Sequence, residues 1–287
     1  MRLTARATLA EAAHQLAETR VPEPALDAEL LLRHVLGWDR AQAVARAGDE
    51  LPDEAVSRYR AVVERRAARI PLQHLVGSVH FWRHEFLVSP AALIPRPETE
   101  LLVETALELV RATSAPRIAD VGTGTGCIAL SLAAERPDAS LYGIDISAAA
   151  LALAAENARR LSLERRLSLH QGDLLAPLEP LHGHLDLIVS NPPYLDASEL
   201  QELQPEVRDH EPRLALVPPG GDRFSLYARL APAAARALAL GGCLAVEIGL
   251  GMDDRVTSLL AGAGLTVERS LPDLQRIPRV VIARRTV

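Results

Sequence analysis

The chain contains no lysine, so all 31 of its basic residues are arginine. An Arg- and Ala-rich coding bias accounts for this, and it assigns no chemistry. Aromatic residues are also scarce, at 3 % against 48 % hydrophobic. That excludes an aromatic core and calls for one built from Leu, Ala, Val and Ile. There are two cysteines, Cys127 and Cys243, far apart and inside apolar runs. Two thiols with no CxxC spacing cannot form a zinc cluster, so no metal site is expected. Both read as small core residues in a reducing compartment. No segment approaches the roughly 18 apolar residues of a membrane span, and the first twenty residues lack the apolar core of a signal peptide. A cytoplasmic protein without a membrane partner is expected. With a net charge of −6, the chain also lacks the basic excess typical of proteins that hold nucleic acid by neutralising phosphates.

What is present divides by texture. At 287 residues the chain is comfortable for two domains of roughly 150 residues each. Residues 1–71 read as a small all-helical domain. "TLAEAAHQLAET" places Leu9, Ala12, Ala13 and Leu16 on one helical stripe. After the break at Pro22 and Pro24, Leu26, Leu30 and Val35 are in phase along a second helix, with Gly37 as its cap. Pro52 and the acids after it start a third helix, which stops before Pro71. Residues 72–95 carry short β-type runs ("SVHFW", "HEFLVS") and read as a hairpin connector. Residues 96–287 form the third part, a catalytic domain. It opens on a helix with Thr99 as N-cap after Pro97. From "RIADVG" onward strands alternate with helices, the pattern of an α/β fold with a parallel, Rossmann-like sheet covered on both faces.

The strand "RIADV" runs straight into Gly122-Thr123-Gly124-Thr125-Gly126, and a helix follows at once. Glycines let the backbone turn sharply and approach a ligand without Cβ atoms in the way. The helix N-terminus adds N–H groups directed at the site. Asp145 ends the next strand, 23 residues after Gly122, where a carboxylate can accept from both ribose hydroxyls of a nucleoside. A dinucleotide remains formally allowed, because Ala129 completes a GxGxxA pattern. The GxGxG loop suits S-adenosylmethionine better, since that cofactor has no pyrophosphate to seat. Asp173 and Leu174, after the third strand, are placed to meet the adenine amino group and to cover the ring. Asp120, below the loop, is placed either near the methionine part or in a structural role.

The fourth strand ends in Asn191-Pro192-Pro193-Tyr194. In open α/β sheets ligands bind beyond the carboxyl ends of the strands, and prolines stiffen the turn they occupy. An amide or aryl amine nitrogen is a poor nucleophile because its lone pair is delocalised. The Asn191 side-chain oxygen and the Pro192 carbonyl can each accept one N–H, which aims the lone pair and stabilises the positive charge developing on nitrogen. Tyr194 offers its ring to the planar group. No strong general base is needed, because the nitrogen becomes acidic only after the methyl has arrived.

This tetrapeptide resembles the [N/D/S]PP[Y/F/W] motif of amino-methyltransferases acting on adenine, guanine or glutamine. With "IPRPETE", "DVGTGTGCIALSLA", "EVRDHEPRLAL" and "PDLQRIPRVVIAR", the chain is similar to the HemK/PrmC family of release-factor glutamine methyltransferases. The likeness is close over residues 70–287, whereas the helical N-terminal part matches in character more than in letters. The resemblance implies methylation of the glutamine amide in the Gly-Gly-Gln loop of class I peptide-chain release factors. It implies that Gly122, Thr123, Gly124, Thr125, Gly126, Asp145, Leu174 and Asn191 hold the cofactor. Asn191, Pro192, Pro193 and Tyr194 would grip the substrate amide, with Asn191, Pro192 and Tyr194 carrying the catalysis. Arg96, Pro97, Glu98 and Thr99 would flank the substrate entrance, and the helical domain would recognise the partner of a monomeric enzyme. One stretch departs from the family pattern: "VPPGGDRFSLYARL" keeps Gly220, Asp222 and Tyr227 but has Pro219, Arg223 and Phe224 where the family has other residues. The alternatives are a ribosomal-protein glutamine methyltransferase, against which "RPETE" speaks, a nucleic-acid amino-methyltransferase, and a vestigial fold that binds without catalysis.

Overall fold

The computed structural model describes residues 3–286, and the chain separates into two compact units. The first runs through Ser78 and contains α1 (Ala5–Glu18), α2 (Pro24–Leu36), α3 (Arg40–Ala45), α4 (Asp53–Ala67) and α5 (Leu72–Val76). Local signals set the helix ends. The Thr4 hydroxyl accepts from the Ala7 N–H to start α1, and Asp39 and Gln42 form a reciprocal capping box on α3. Gly37 ends α2 in the left-handed region at φ 65°. Leu16, Leu31, Leu32, Tyr59 and Val63 form the core between them. Leu26, expected to share the apolar stripe of α2, is instead 48 % exposed. The inward face is Asp27, Ala28, Leu31 and Leu32, and a stripe read from apolar residues alone cannot admit the aspartate.

The second unit begins with a two-stranded hairpin, β1 (Ser78–Phe81) and β2 (His84–Leu87), followed by α6 (Glu100–Leu109). Then come β3 (Arg117–Val121), α7 (Cys127–Glu135), β4 (Ser140–Asp145), α8 (Ala148–Arg160), β5 (Leu167–Gln171) and β6 (Leu185–Ser190). Two short helices follow, α9 (Pro205–His210) and α10 (Arg213–Leu216). The chain ends with α11 (Ser225–Ala237), β7 (Leu238–Glu247), α12 (Asp253–Gly262), β8 (Thr266–Pro272) and β9 (Pro278–Arg284). The seven strands pair in the order β5-β4-β3-β6-β7-β9-β8. The residues alternate between faces with the strand period: Ile118, Leu187 and Ala245 pack under α6 and α7, and Ala119, Ile188 and Leu244 under α11 and α12. Both cysteines are buried and free. The sheet is not wholly parallel, however, because β9 pairs antiparallel with both β7 and β8. The turn between β8 and β9 is too short for a crossover, which needs a dozen or more residues. No helix among the described residues is long and apolar enough to cross a membrane.

Between β6 and α10 the chain leaves this unit, and Gln204–His210 folds with the helical one. Charge holds it there. Arg66 pairs with Asp27 at 2.7 Å and with Glu206 at 2.8 Å, and Arg69 reaches Glu206 at 2.5 Å. Burial pushes the Glu206 carboxyl up, but the hydrogen bonds from Arg69 and Arg66 outweigh it and hold the group below the usual carboxylate range. Two cations and two anions therefore balance inside an apolar unit. Glu206→Ala leaves a net buried positive charge and should cost about 3–5 kcal/mol in urea unfolding. Removing the exposed Arg60–Glu11 pair should cost less than about 1 kcal/mol, and equal losses would show that burial does not set the difference.

Candidate active site

Strand register creates the site. Val121 lies level with Ile144 on one side and Ser190 on the other, and Ser190 is level with Val246. The residue after each of these begins the next row: Asp145, Gly122, Asn191 and Glu247, on strands roughly 4.8 Å apart. Two side chains brace this edge. The Ser190 hydroxyl donates to the Val121 carbonyl at 2.7 Å. The Asn157 side chain donates to the carbonyls of Leu87 and Thr125, at 3.1 and 2.9 Å, and accepts from the Leu87 N–H at 2.7 Å.

In the glycine loop Gly122, Gly124 and Gly126 all have positive φ, which L side chains adopt only with strain. At Gly126 a Cβ would also sit 3.2 Å from both Ala154 and Leu130. A Cβ at Gly122 would meet nothing within 4 Å, so the backbone is bare toward open space. Asp120 lies beneath, fully buried. Its Oδ2 accepts from the Thr123 hydroxyl at 2.7 Å and the Ala129 N–H at 3.2 Å, which takes up one of the N–H groups expected to face a ligand. Burial pushes its carboxyl up to about 7, against the pull of those two bonds.

Gly122 to Thr125, Asp145, Leu174 and Asn191 line a cavity of about 370 Å³ within this unit, whereas Gly126 does not reach it. Asp145 accepts from the Gly124 N–H and the Ser147 N–H, both at 2.9 Å, so its carboxylate is held by the backbone on either side. Leu174 is held at φ 50°, an uncommon conformation for leucine of the kind found at ligand sites. Asp173 is exposed and ion-paired with Arg229 on the cavity rim. Bare glycine backbone, a fixed carboxylate and a flanking apolar side chain suit a nucleoside cofactor, and the residues present fit S-adenosylmethionine.

At the far end of the cavity stand Asn191, Pro192 and Pro193. Asn191 Nδ2 donates to the Thr99 hydroxyl at 3.1 Å, while neither Asn191 Oδ1 nor the Pro192 carbonyl accepts a hydrogen bond among the described residues. Thr99 is thus not the side-chain cap expected. It is the last residue of a 3-10 turn, already has helical φ and ψ, and makes no cap bond. Arg96 and Thr99 line the cavity; Pro97, Glu98 and Tyr194 do not. Tyr194 packs with the core beside α11, and a Cβ at Gly249 would fall 3.0 Å from its ring. Burial, with the nearby Glu247 charge, pushes its phenol up to about 12, so it stays protonated at neutral pH.

Several partners were not legible beforehand. Glu247 is buried beside Thr99 and Asn191, and its Oε2 has no hydrogen-bond partner among the described residues; its signal was an acid ending an apolar strand, as Asp145 does. Glu211 pairs with Arg96 and accepts from the Ile94 N–H at 3.3 Å. Arg223, in the divergent stretch, donates to the Tyr194 carbonyl at 3.3 Å and to Glu199 at 2.5 Å. The departure from the family pattern therefore ties down the segment leaving the tetrapeptide. In "PDLQRIPR" Asp273 accepts from the N–H groups of Gln275 and Ile277 and from Arg279, at 2.8, 3.0 and 2.9 Å, and so shapes the β8–β9 turn.

Comparison with known proteins agrees with this geometry. The PrmC N-terminal domain model matches residues 7–77, and the methyltransferase small domain model matches residues 97–206. The release factor glutamine methyltransferase of Moorella thermoacetica is 44 % identical over 284 residues, 99 % of each chain. That of Cereibacter sphaeroides is 45 % identical over 276 residues, 96 % of each chain. Among solved structures, the hMettl16 catalytic domain in complex with the MAT2A 3′UTR hairpin 6 superposes with a TM-score of 0.58. It is 14 % identical and covers 70 % of this chain and 76 % of that one, a likeness of fold. With such identity over almost its whole length, the chain belongs to the family of release factor glutamine methyltransferases.

Proposed function

We propose that this protein transfers a methyl group from S-adenosylmethionine to the side-chain amide nitrogen of the glutamine in the Gly-Gly-Gln loop of class I peptide-chain release factors. One observation carries the reading: Asn191 and Pro192 end a cofactor-sized cavity with two carbonyl oxygens that have no partner among the described residues. The cofactor supplies an electrophilic methyl carbon. Asp145 and the bare loop from Gly122 to Thr125 hold its nucleoside, and Leu174 covers the base. Asn191 Oδ1 and the Pro192 carbonyl each accept one N–H of the substrate amide. The lone pair is thereby directed out of conjugation, and the positive charge that grows on nitrogen meets two fixed dipoles. Tyr194 cannot serve as the base while its phenol is protonated, so the surplus proton passes to solvent after transfer. The helical unit, stiffened by Arg66 and Glu206, recognises the release factor, and the enzyme acts as a monomer in the cytoplasm without stable nucleic acid.

The decisive assay follows labelled methyl from S-adenosylmethionine to a release factor, with RNA and DNA as competing acceptors. Label should enter the factor and vanish when the loop glutamine is changed; label in nucleic acid would assign another substrate. Asn191→Ala should lower kcat by roughly 10²–10³-fold with cofactor affinity nearly unchanged. Asp145→Ala should weaken cofactor binding by about 10–100-fold, the loss of one or two hydrogen bonds. Arg223→Ala should speed amide hydrogen exchange over residues 195–199 and raise KM for the release factor several-fold, leaving cofactor affinity as it was. Unchanged exchange would deny Arg223 its tethering role.

A further inference from the structure

Glu247 plays no part in the reaction derived above, yet it is 3 % exposed and stands beside Asn191 in the row beyond Ser190 and Val246. We propose that Glu247, together with Thr99, is a positioning residue that fixes which way the Asn191 carboxamide faces. The inference rests on the reading of Asn191 as the acceptor for the substrate amide. A carboxamide has two nearly isosteric ends, and only its oxygen can accept an N–H. An ionised carboxylate can only accept, so it draws the Nδ2 end of Asn191 toward itself. Thr99 takes the other N–H at 3.1 Å, and Glu247 Oε2, buried and without a hydrogen-bond partner among the described residues, remains as an acceptor for what Thr99 and Asn191 can still donate. With the Nδ2 end turned that way, Oδ1 is left for the cavity. A flipped amide would set Oδ1 against the carboxylate and offer N–H groups to the substrate, which has no acceptor there.

The fold holds Glu247 in place from several sides. The Tyr227 hydroxyl on α11 donates to its backbone carbonyl at 2.7 Å. Arg279 from β9 faces it with positive charge and Glu98 with negative charge. Tyr194, Tyr227 and Cys127 complete the titratable groups around it, and burial raises all three. Burial also raises Glu247 itself to about 7, against the opposing pull of Thr99, Arg279 and Asn191. The lock needs the ionised form, so it engages as pH rises through that range and slackens below it.

The test uses the full chain with release factor and cofactor. Glu247→Gln should lower kcat by roughly 10–100-fold, with KM and cofactor affinity within about 3-fold of wild type. The fall in kcat on the acidic side of neutrality should disappear. Thr99→Val should lower kcat comparably and Thr99→Ser should restore it, which keeps the test open if Glu247→Gln fails to fold. Asp120 is pushed into the same pH range, but Glu247→Gln leaves it intact. An acidic limb that persists in that variant, or wild-type kcat in either Glu247→Gln or Thr99→Val, overturns the proposal. The Asn191 side-chain amide signal in NMR should also shift with Glu247 protonation in the wild-type chain and stay still in Glu247→Gln. If the wild-type enzyme methylates no release factor, the substrate reading fails on its own. An Asn191 signal that ignores pH would then overturn the positioning role separately.

Discussion

The site depends on the register of four parallel strands. Because Val121, Ile144, Ser190 and Val246 share one level, Gly122, Asp145, Asn191 and Glu247 emerge together at the carboxyl edge. A slip of one residue in any strand would turn its contribution to the opposite face. The apolar alternation of the strands opposes such a slip, since each residue is committed to one of two buried layers. Core packing and active-site geometry are in this sense one constraint, and the aliphatic composition serves both.

The chemistry asks for position more than for strong acids or bases. In the proposed reaction a planar amide is held by two acceptors, and short tethers fix the segments around them: Ser190 to Val121, Asn157 to Thr125, Tyr227 to Glu247 and Arg223 to Tyr194. Two buried carboxyls, Asp120 and Glu247, run against stability. Their folded-state values stand above the ordinary carboxylate range, so the native state holds protons that the unfolded chain has lost. Stability therefore falls as pH rises from the unfolded values toward about 7. That both persist next to the loop and to Asn191 fits groups kept for placement.

What could be read from the sequence was local. The glycine loop, Asp145 and the Asn191–Tyr194 tetrapeptide announce themselves because backbone conformation, chain direction and spacing are encoded within a few residues. Gly37 was legible as a cap for the same reason, and it serves as one. The long-range partners were hidden. Arg69 meets Glu206 across 137 positions and Arg96 meets Glu211 across 115, and neither carboxylate differs in sequence from a solvated one. Thr99 was misread because its place before a helix suggested a cap, whereas it closes a 3-10 turn and its hydroxyl is free to accept from Asn191. Nor could alternation distinguish the antiparallel edge, β8 and β9, from one more parallel crossover.

Substrate choice cannot reside in the sheet. The hMettl16 catalytic domain shares that architecture at 14 % identity, and its structure holds an RNA hairpin, so the fold alone leaves the acceptor open. Selectivity for a protein amide must come from what surrounds the shared edge. Here those parts are Arg96 to Thr99, the segment opening on Glu211, and the stretch containing Arg223. Each is fastened by a charged contact: Arg96 to Glu211, and Arg223 to Glu199. Segments that needed only to cover the sheet could have been held by apolar packing. Buried and half-buried ion pairs fix direction as well as proximity.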